Sequence, residues 1–230
     1  RKNDKRMNYR LSRIAAICGG KFSGCDSEVR SVVTDSRSLS CELGCRPMFV
    51  AMRGANHDSH DFIAGMQSRG VRAFLVERGV EASSCTGECG FVQVDNAIEA
   101  LQRLAAYHRA QFRGTVVGIT GSNGKTVIKE WIAEELPEGM KYYRSPKSYN
   151  SQLGVPLSVL MLEGDEELAI FEAGISKPGE MERLERIIRP DAVIFTSIGD
   201  AHQENFINPE QKCDEQILLA RSASKIIHHS

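Results

Sequence analysis

Near the start of the chain, apolar residues recur at helical spacing at Leu11, Ile14, Ala15 and Ile17. Gly19-Gly20 interrupts them, which predicts a short opening helix. Two strand-like runs follow at 29–34 and 48–52, separated by the turn-rich stretch 36–46. The pattern then predicts a helix over about 61–69, strands at 73–77 and 91–94, and a helix over 96–112 with the stripe Ile98, Leu101, Leu104, Ala105 and His108. After Gly114 the rhythm becomes a regular alternation, with strands at 115–120, 141–144, 168–172 and 192–197 and helices at 125–136, 154–161, 179–189 and 209–222. Such alternation with short connections implies a parallel sheet covered by helices. A last apolar run at 225–229 opens a further strand. Doubly wound domains normally continue past such a point, so the pattern predicts a piece of a longer protein.

The expected fold class is therefore α/β. A small N-terminal α/β domain at 7–112 precedes a truncated phosphate-loop domain at 113–230, whose mostly parallel sheet is flanked by helices. Residues 1–6 are polar and basic and read as a tail ahead of Met7.

Composition narrows the partners. At 230 residues and 41% hydrophobic content the chain is long enough to bury proper cores. Its 29 basic and 30 acidic residues leave a formal net charge of −1, so no general field draws it to nucleic acid or an anionic membrane. Any anionic ligand must be held locally. The longest apolar stretches, such as Val155 to Leu162, fall far below the ~20 residues of a membrane span. No leader-like segment opens the chain, and a cytoplasmic protein is expected. The seven cysteines are scattered, as suits reduced thiols. Cys41/Cys45 and Cys85/Cys89 have the arithmetic of a four-thiolate zinc site, but their spacing is unusual for zinc and small buried or loop thiols are the commoner outcome.

The strongest chemical signal is Val116-Val117-Gly118-Ile119-Thr120-Gly121-Ser122-Asn123-Gly124-Lys125-Thr126, a strand, a glycine-rich loop and the first residues of a helix. Gly121, Ser122, Asn123 and Gly124 let backbone approach a polyphosphate closely, and the helix start offers free N–H groups to anions. Lys125 supplies a point charge to the β and γ phosphates of ATP, and Thr126 offers a hydroxyl to Mg²⁺. The generic phosphate-loop pattern requires glycine where this chain has Ile119, so by that rule the match is imperfect. An ordinary glycine-rich turn is the bland alternative. The amphipathic stripe Ile128, Trp131, Ile132 and Leu136 in the helix that follows argues against it.

Metal ligands are sought at the same sheet edge. The run Ala169-Ile170-Phe171 ends in Glu172, and strand 192–197 leads through Gly199-Asp200-Ala201 to His202. Alone, Glu172 reads as a solvated strand end and His202 as a surface or structural histidine; beside the loop, both stand where a metal would bridge phosphates.

Gly118 to Thr126 also matches, at every fixed position, the loop G-x-T-G-[ST]-N-G-K-[ST] of the Mur ligases, and the chain resembles that family from about Met7 to its end. The supporting motifs are Thr34-Asp35-Ser36-Arg37, Phe49-Val50-Ala51 with Gly54, Asp58 and His60-Asp61-Phe62, Asn150-Ser151-Gln152-Leu153-Gly154-Val155-Pro156-Leu157, Glu172-Ala173-Gly174 with Gly179-Glu180, and Ala201-His202. Within the family these motifs look most like members that use ATP to join D-alanyl-D-alanine to UDP-N-acetylmuramoyl-tripeptide. The resemblance implies catalytic roles for Lys125, Glu172 and His202, with Mg²⁺ at Thr126, Glu172 and His202. It implies that Asn150 contacts phosphate or substrate, and that Asp35, Ser36, Arg37, Arg53, Asp58 and His60 line a uridine-nucleotide pocket in the first domain. A plain turn at 34–37 and a helix cap at His60-Asp61 remain the structural alternatives.

Two departures stand out. Where the family often carries a lysine that is carbamylated and helps hold a second magnesium, this chain has Gln216, which cannot be carbamylated; Lys212 lies one helical turn earlier. The family's third domain, which closes over ATP, is absent from the 230 residues. The resemblance thus implies a monomer, or a chain fused to a further domain, acting without nucleic acid or membrane. A sibling ligase adding a diamino acid, a folate-type glutamate ligase and a nucleotide-binding module without turnover are the competing readings. The motif at 34–37 disfavours the folate reading.

Overall fold

A computed structural model of the chain describes residues 7–38, 46–54, 57–78, 88–197, 199 and 203–228. They fall into two compact units that divide between Tyr107 and His108. The tail at 1–6 and the cysteines Cys41, Cys45 and Cys85 lie outside the described residues. Cys18, Cys25, Cys89 and Cys213 are free thiols.

The first unit runs β1 (Tyr9–Arg10), α1 (Leu11–Cys18), β2 (Lys21–Gly24), β3 (Glu28–Val29), β4 (Ser31–Val33), β5 (Pro47–Val50), α2 (Ile63–Ser68), β6 (Ala73–Glu77), β7 (Gly90–Val94) and α3 (Ala97–Arg109), which reaches the division. Its main sheet has the order β2-β7-β6-β5-β4, parallel from β4 to β7 and antiparallel at β2; β1 and β3 form a separate antiparallel pair. The opening helix is stopped by Gly19 in the left-handed region at φ 70°, as the Gly19-Gly20 pair predicts. The strand β2 was not legible: Lys-Phe-Ser-Gly carries no period of two, and only pairing with β7 makes it a strand. Phe49, Phe74, Met66 and Phe91 fill the core, with the rings of Phe74 and Phe91 stacked 5.3 Å apart. In α3 the buried stripe is Ala97, Ala100, Leu101, Leu104, Ala105 and His108, whereas Ile98 is exposed.

The second unit runs β8 (Thr115–Thr120), α4 (Lys125–Glu134), β9 (Tyr142–Arg144), α5 (Gly154–Val159), β10 (Leu168–Ala173), α6 (Glu180–Ile188), β11 (Ala192–Phe195), α7 (Pro209–Ile217) and β12 (Lys225–His228). All neighbours in its five-stranded sheet are parallel, in the order β12-β11-β8-β10-β9. The predicted alternation is therefore present, and 225–228 does add a strand. From β8 the chain builds one side of the sheet with β9 and β10, then crosses to the other with β11 and β12. This makes the carboxyl end of β8 the switch point, where open α/β sheets bind ligands. The helix expected over 209–222 is shorter: Asn208 caps it by accepting from Gln211 N at 2.8 Å, Pro209 begins it, and it tightens into a 3₁₀ turn at Leu218–Ala220.

One expectation about α4 is overturned. Trp131, counted in its apolar stripe, is 63% exposed, while Lys129 is fully buried alongside Ala133. Ile128, Ile132 and Leu136 do pack on the β8 and β10 core of Ile119, Leu168 and Ile170. Among the described residues no helix is long and apolar enough to cross a membrane.

Candidate nucleotide and metal site

The phosphate loop leaves the carboxyl end of β8 at Thr120 and enters α4 at Lys125. Gly121 has φ 136° and Gly124, the residue before the helix, has φ 83°, both in the region that side chains disfavour. A Cβ on Gly121 would also collide with Thr196 Oγ1 and lie 2.9 Å from Ser197 O. This close approach explains the glycine, because the loop is stitched to the chain leaving β11. Ser122 N donates to Ser197 O at 2.6 Å, Ser122 Oγ donates to Gly199 O at 3.0 Å, and Thr196 Oγ1 donates to Asn123 O at 2.6 Å.

Lys125 Nζ donates to Gly121 O at 2.5 Å, which keeps the ammonium against the loop. Burial lowers its pKa; Glu172 opposes that shift and the nearby cation Lys212 adds to it. Thr126 Oγ1 donates to Glu172 Oε2 at 3.1 Å. Glu172 lies within β10, one residue before its end, and is completely buried, so it is no solvated strand end. A hydroxyl and a carboxylate oxygen are hard donors of the kind Mg²⁺ takes, usually with only one or two carboxylates and the rest from phosphates and water. No group of three or more His, Cys, Asp or Glu that could hold a metal occurs among the described residues. His202 lies outside the described residues, together with Asp200 and Ala201.

Two buried lysines flank this pair. Lys129 Nζ donates to Ser145 O and Lys147 O, each at 2.7 Å, and stands 2.7 Å from Glu172 Oε1. That last contact is an ion pair outside good hydrogen-bond geometry, since Glu172 Oε1 receives no directed bond. Lys212 is buried in α7 and donates to Gly199 O, behind the phosphate loop. Gln216, one turn later, is buried with its Oε1 unbonded among the described residues. Asn150 sits at the same sheet edge: its carbonyl accepts from Gly174 N at 2.8 Å and its side chain packs on Gly174, just past β10.

The first-unit candidates occupy the carboxyl ends of β4, β5 and β6. Asp35 accepts from Arg37 Nε at 3.1 Å, Nη2 at 3.0 Å and backbone N at 2.9 Å, so the two close an exposed local turn around Ser36. These bonds from Arg37 hold the Asp35 carboxyl below its usual pKa. Arg53 and Asp58 bridge as a short antiparallel pair, with Arg53 Nε 3.5 Å from Asp58 Oδ2. His60 is buried: Nδ1 lies 2.5 Å from Asp58 Oδ1, and Nε2 accepts from Glu77 N at 3.0 Å. Both ring nitrogens are therefore committed within the unit, with the proton on Nδ1. Glu77 completes the brace through bonds from Arg53 N at 3.3 Å and Ala97 N at 3.0 Å.

Sequence reasoning missed Lys129 and Glu77, and named Lys212 only as the lysine one turn before Gln216. A visible signal did exist for Lys129, which lies four residues after Lys125 and four before Ala133, a lysine in line with the buried face of α4.

Residues 119–226 match the Mur ligase middle domain. The chain is 35% identical over 217 residues to the UDP-N-acetylmuramoyl-tripeptide--D-alanyl-D-alanine ligase of Borreliella burgdorferi, covering 90% of this chain and 45% of that protein. Among solved structures it superposes on MurF from Acinetobacter baumannii with a TM-score of 0.82 at 26% identity, over 94% of this chain and 47% of that one. A MurF ligase from Thermotoga maritima in complex with ADP gives a TM-score of 0.73 at 30% identity, over 85% and 44% of the two chains. The chain thus spans under half the length of these relatives. Residues 119–226 thus belong to the Mur ligase middle-domain family, and the chain is similar to Mur ligases over most of its own length.

Proposed function

We propose that the whole protein is an ATP-dependent carbon–nitrogen ligase of peptidoglycan precursor synthesis. It joins D-alanyl-D-alanine to UDP-N-acetylmuramoyl-tripeptide, in the cytoplasm, as a monomer or fused to a further domain. The observation that carries the reading is the contact of Thr126 with the buried Glu172 at the mouth of the phosphate loop. The names of the similar proteins support the substrates, and the ADP complex of one of them supports the nucleotide. Because the chain spans under half the length of those relatives, turnover is assigned to the whole protein and nucleotide binding to residues 113–230.

In this reading residues 7–112 hold the uridine nucleotide, with Asp35, Ser36, Arg37, Arg53 and Asp58 at the sheet edge; His60 shapes that edge by fixing Asp58. A carboxylate oxygen of the tripeptide attacks the γ-phosphorus of ATP, the bond to the β–γ bridging oxygen breaks, and ADP leaves. The amine of D-alanyl-D-alanine then adds to the acyl carbon, and the tetrahedral intermediate expels phosphate and loses the amine proton. Activation is required because a carboxylate is a poor electrophile. Gly121 to Gly124 and Lys125 hold the phosphates and offset negative charge as the phosphoryl group moves. Thr126, Glu172 and His202 would hold Mg²⁺, which would supply further neutralisation of phosphate charge. Asn150 contacts phosphate or substrate at the end of β10.

Nucleotide binding is tested by titrating ATP with Mg²⁺ into the chain and into Lys125→Ala. Loss of one charge-assisted contact is expected to weaken binding by at least about tenfold, and equal affinity would sink the phosphate-loop assignment. For the whole protein, mass analysis of the product formed from UDP-N-acetylmuramoyl-tripeptide, ATP and a panel of amines identifies the ligase. Preference for a diamino acid would make it a sibling enzyme, and nucleotide binding without product would make it a binding module.

A further inference from the structure

Lys129 is the least expected group in the second unit. It is fully buried and lies outside the loop motif, yet its ammonium joins three separate elements. It projects from α4, donates to Ser145 O and Lys147 O in the segment that follows β9, and pairs at 2.7 Å with Glu172 Oε1 on β10. Glu130 Oε1 lies 3.6 Å away but is half exposed and is also paired with Arg144, so Glu172 is the buried partner. A buried ammonium is tolerated only where its charge and its donors are both answered, and here two carbonyls and a carboxylate do so.

We propose that Lys129 is a positioning residue for the candidate metal site: by engaging Oε1 it fixes the Glu172 carboxylate so that Oε2 alone faces the Thr126 hydroxyl. Without it, both oxygens of a buried carboxylate compete for Thr126 and for a cation, and the rotamer is no longer set. The same ammonium pins Ser145 and Lys147 at the root of the loop that delivers Asn150 to the end of β10. Lys147 is held there at φ 49°, an uncommon conformation for a non-glycine residue that such an anchor helps to maintain. One buried charge thereby ties α4 to Glu172 on β10 and to the segment that follows β9.

This rests on Thr126 and Glu172 forming the metal site, and the test separates the two ideas. ATP affinity is measured with Mg²⁺ and with EDTA for the wild-type chain, Glu172→Gln, Lys129→Met and the double variant, with circular dichroism as the check on folding. In the wild type Mg²⁺ strengthens binding, and Glu172→Gln abolishes that gain. Lys129→Met is expected to reduce the Mg²⁺ gain by about tenfold or more, the scale seen when a partner that orients a metal ligand is removed, and to leave affinity in EDTA within about twofold. In the double variant, Lys129→Met adds nothing to Glu172→Gln. Should Lys129→Met not fold, Lys129→Arg keeps a cation but replaces a compact three-way donor with a planar fork, and the same fall is expected. A Mg²⁺ gain of wild-type size in either folded Lys129 variant overturns the proposal. A Mg²⁺ gain that survives Glu172→Gln overturns the metal-site reading itself.

Discussion

The two units present their candidate residues at the same place, the carboxyl ends of parallel strands, but hold them in opposite ways. In the second unit Lys129 and Glu172 are both fully buried, so each depends on the other for its charge. In the first unit Asp35 and Arg37 pair in the open, where water solvates either one alone, and only His60 is buried. The difference teaches which contacts carry the fold and which are free to serve a ligand. A buried pair is expensive to break because the remaining ion is stranded, whereas an exposed pair can open toward a substrate at small cost.

The largest effect that separates the two regions is expected from Lys129→Met, which strands Glu172 and lowers stability by about 3–5 kcal/mol. Chemical denaturation measures it, and Lys129→Met combined with Glu172→Leu recovers part of the loss because no charge is left behind. Gly121→Ala comes next. Strain at φ 136° and the collision with Thr196 are expected to cost about 1–3 kcal/mol and to remove nucleotide binding, measured by thermal melting and titration.

A smaller, pH-dependent effect concerns His108, whose Nε2–H donates to Leu162 O at 3.1 Å. Burial pushes its pKa below the usual value of about 6.5, so the unfolded chain binds the proton more tightly than the folded one. Stability is therefore kept above about pH 6.5 and lost as pH falls from there toward the lower folded value. His108→Gln, which retains a donor for Leu162, should flatten the acid limb of the melting temperature against pH; an unchanged limb assigns it to other groups. The smallest stability effect is expected at the exposed turn, where Asp35→Asn leaves the melting temperature unchanged. A fall in affinity for a uridine nucleotide in that variant would mark the turn as binding surface, and unchanged affinity would leave it a plain turn.

Most of the architecture was legible because its signals are local. The alternation after Gly114 anticipated every strand of the second sheet, and Gly19 stopped α1 where the chain pattern said it would. Where reading failed, the cause was distant in sequence. The strand β2 exists through its pairing with β7 some seventy residues on, and Trp131 points outward because Lys129 has partners on β10 and after β9 that no helical wheel contains. The phosphate loop was readable in full, whereas the commitment of both His60 nitrogens depended on Glu77 arriving from another strand.

By itself, the sequence determined the α/β alternation, the phosphate loop with its family spacing, and the presence of Glu172 at the correct end of a strand. Hydrophobic period and glycine placement act over a few residues and need no partner. Only the tertiary structure decided how the charges are answered. The switch point at β8 sets β10 beside it, so that Thr126 meets one oxygen of Glu172 and Lys129 the other. It also brings Gly199 to Ser122 and Lys212 to Gly199 behind the loop. Such pairings join residues as many as 77 positions apart, and their strength comes from exclusion of water, a property of the packed sheet that no stretch of sequence carries alone.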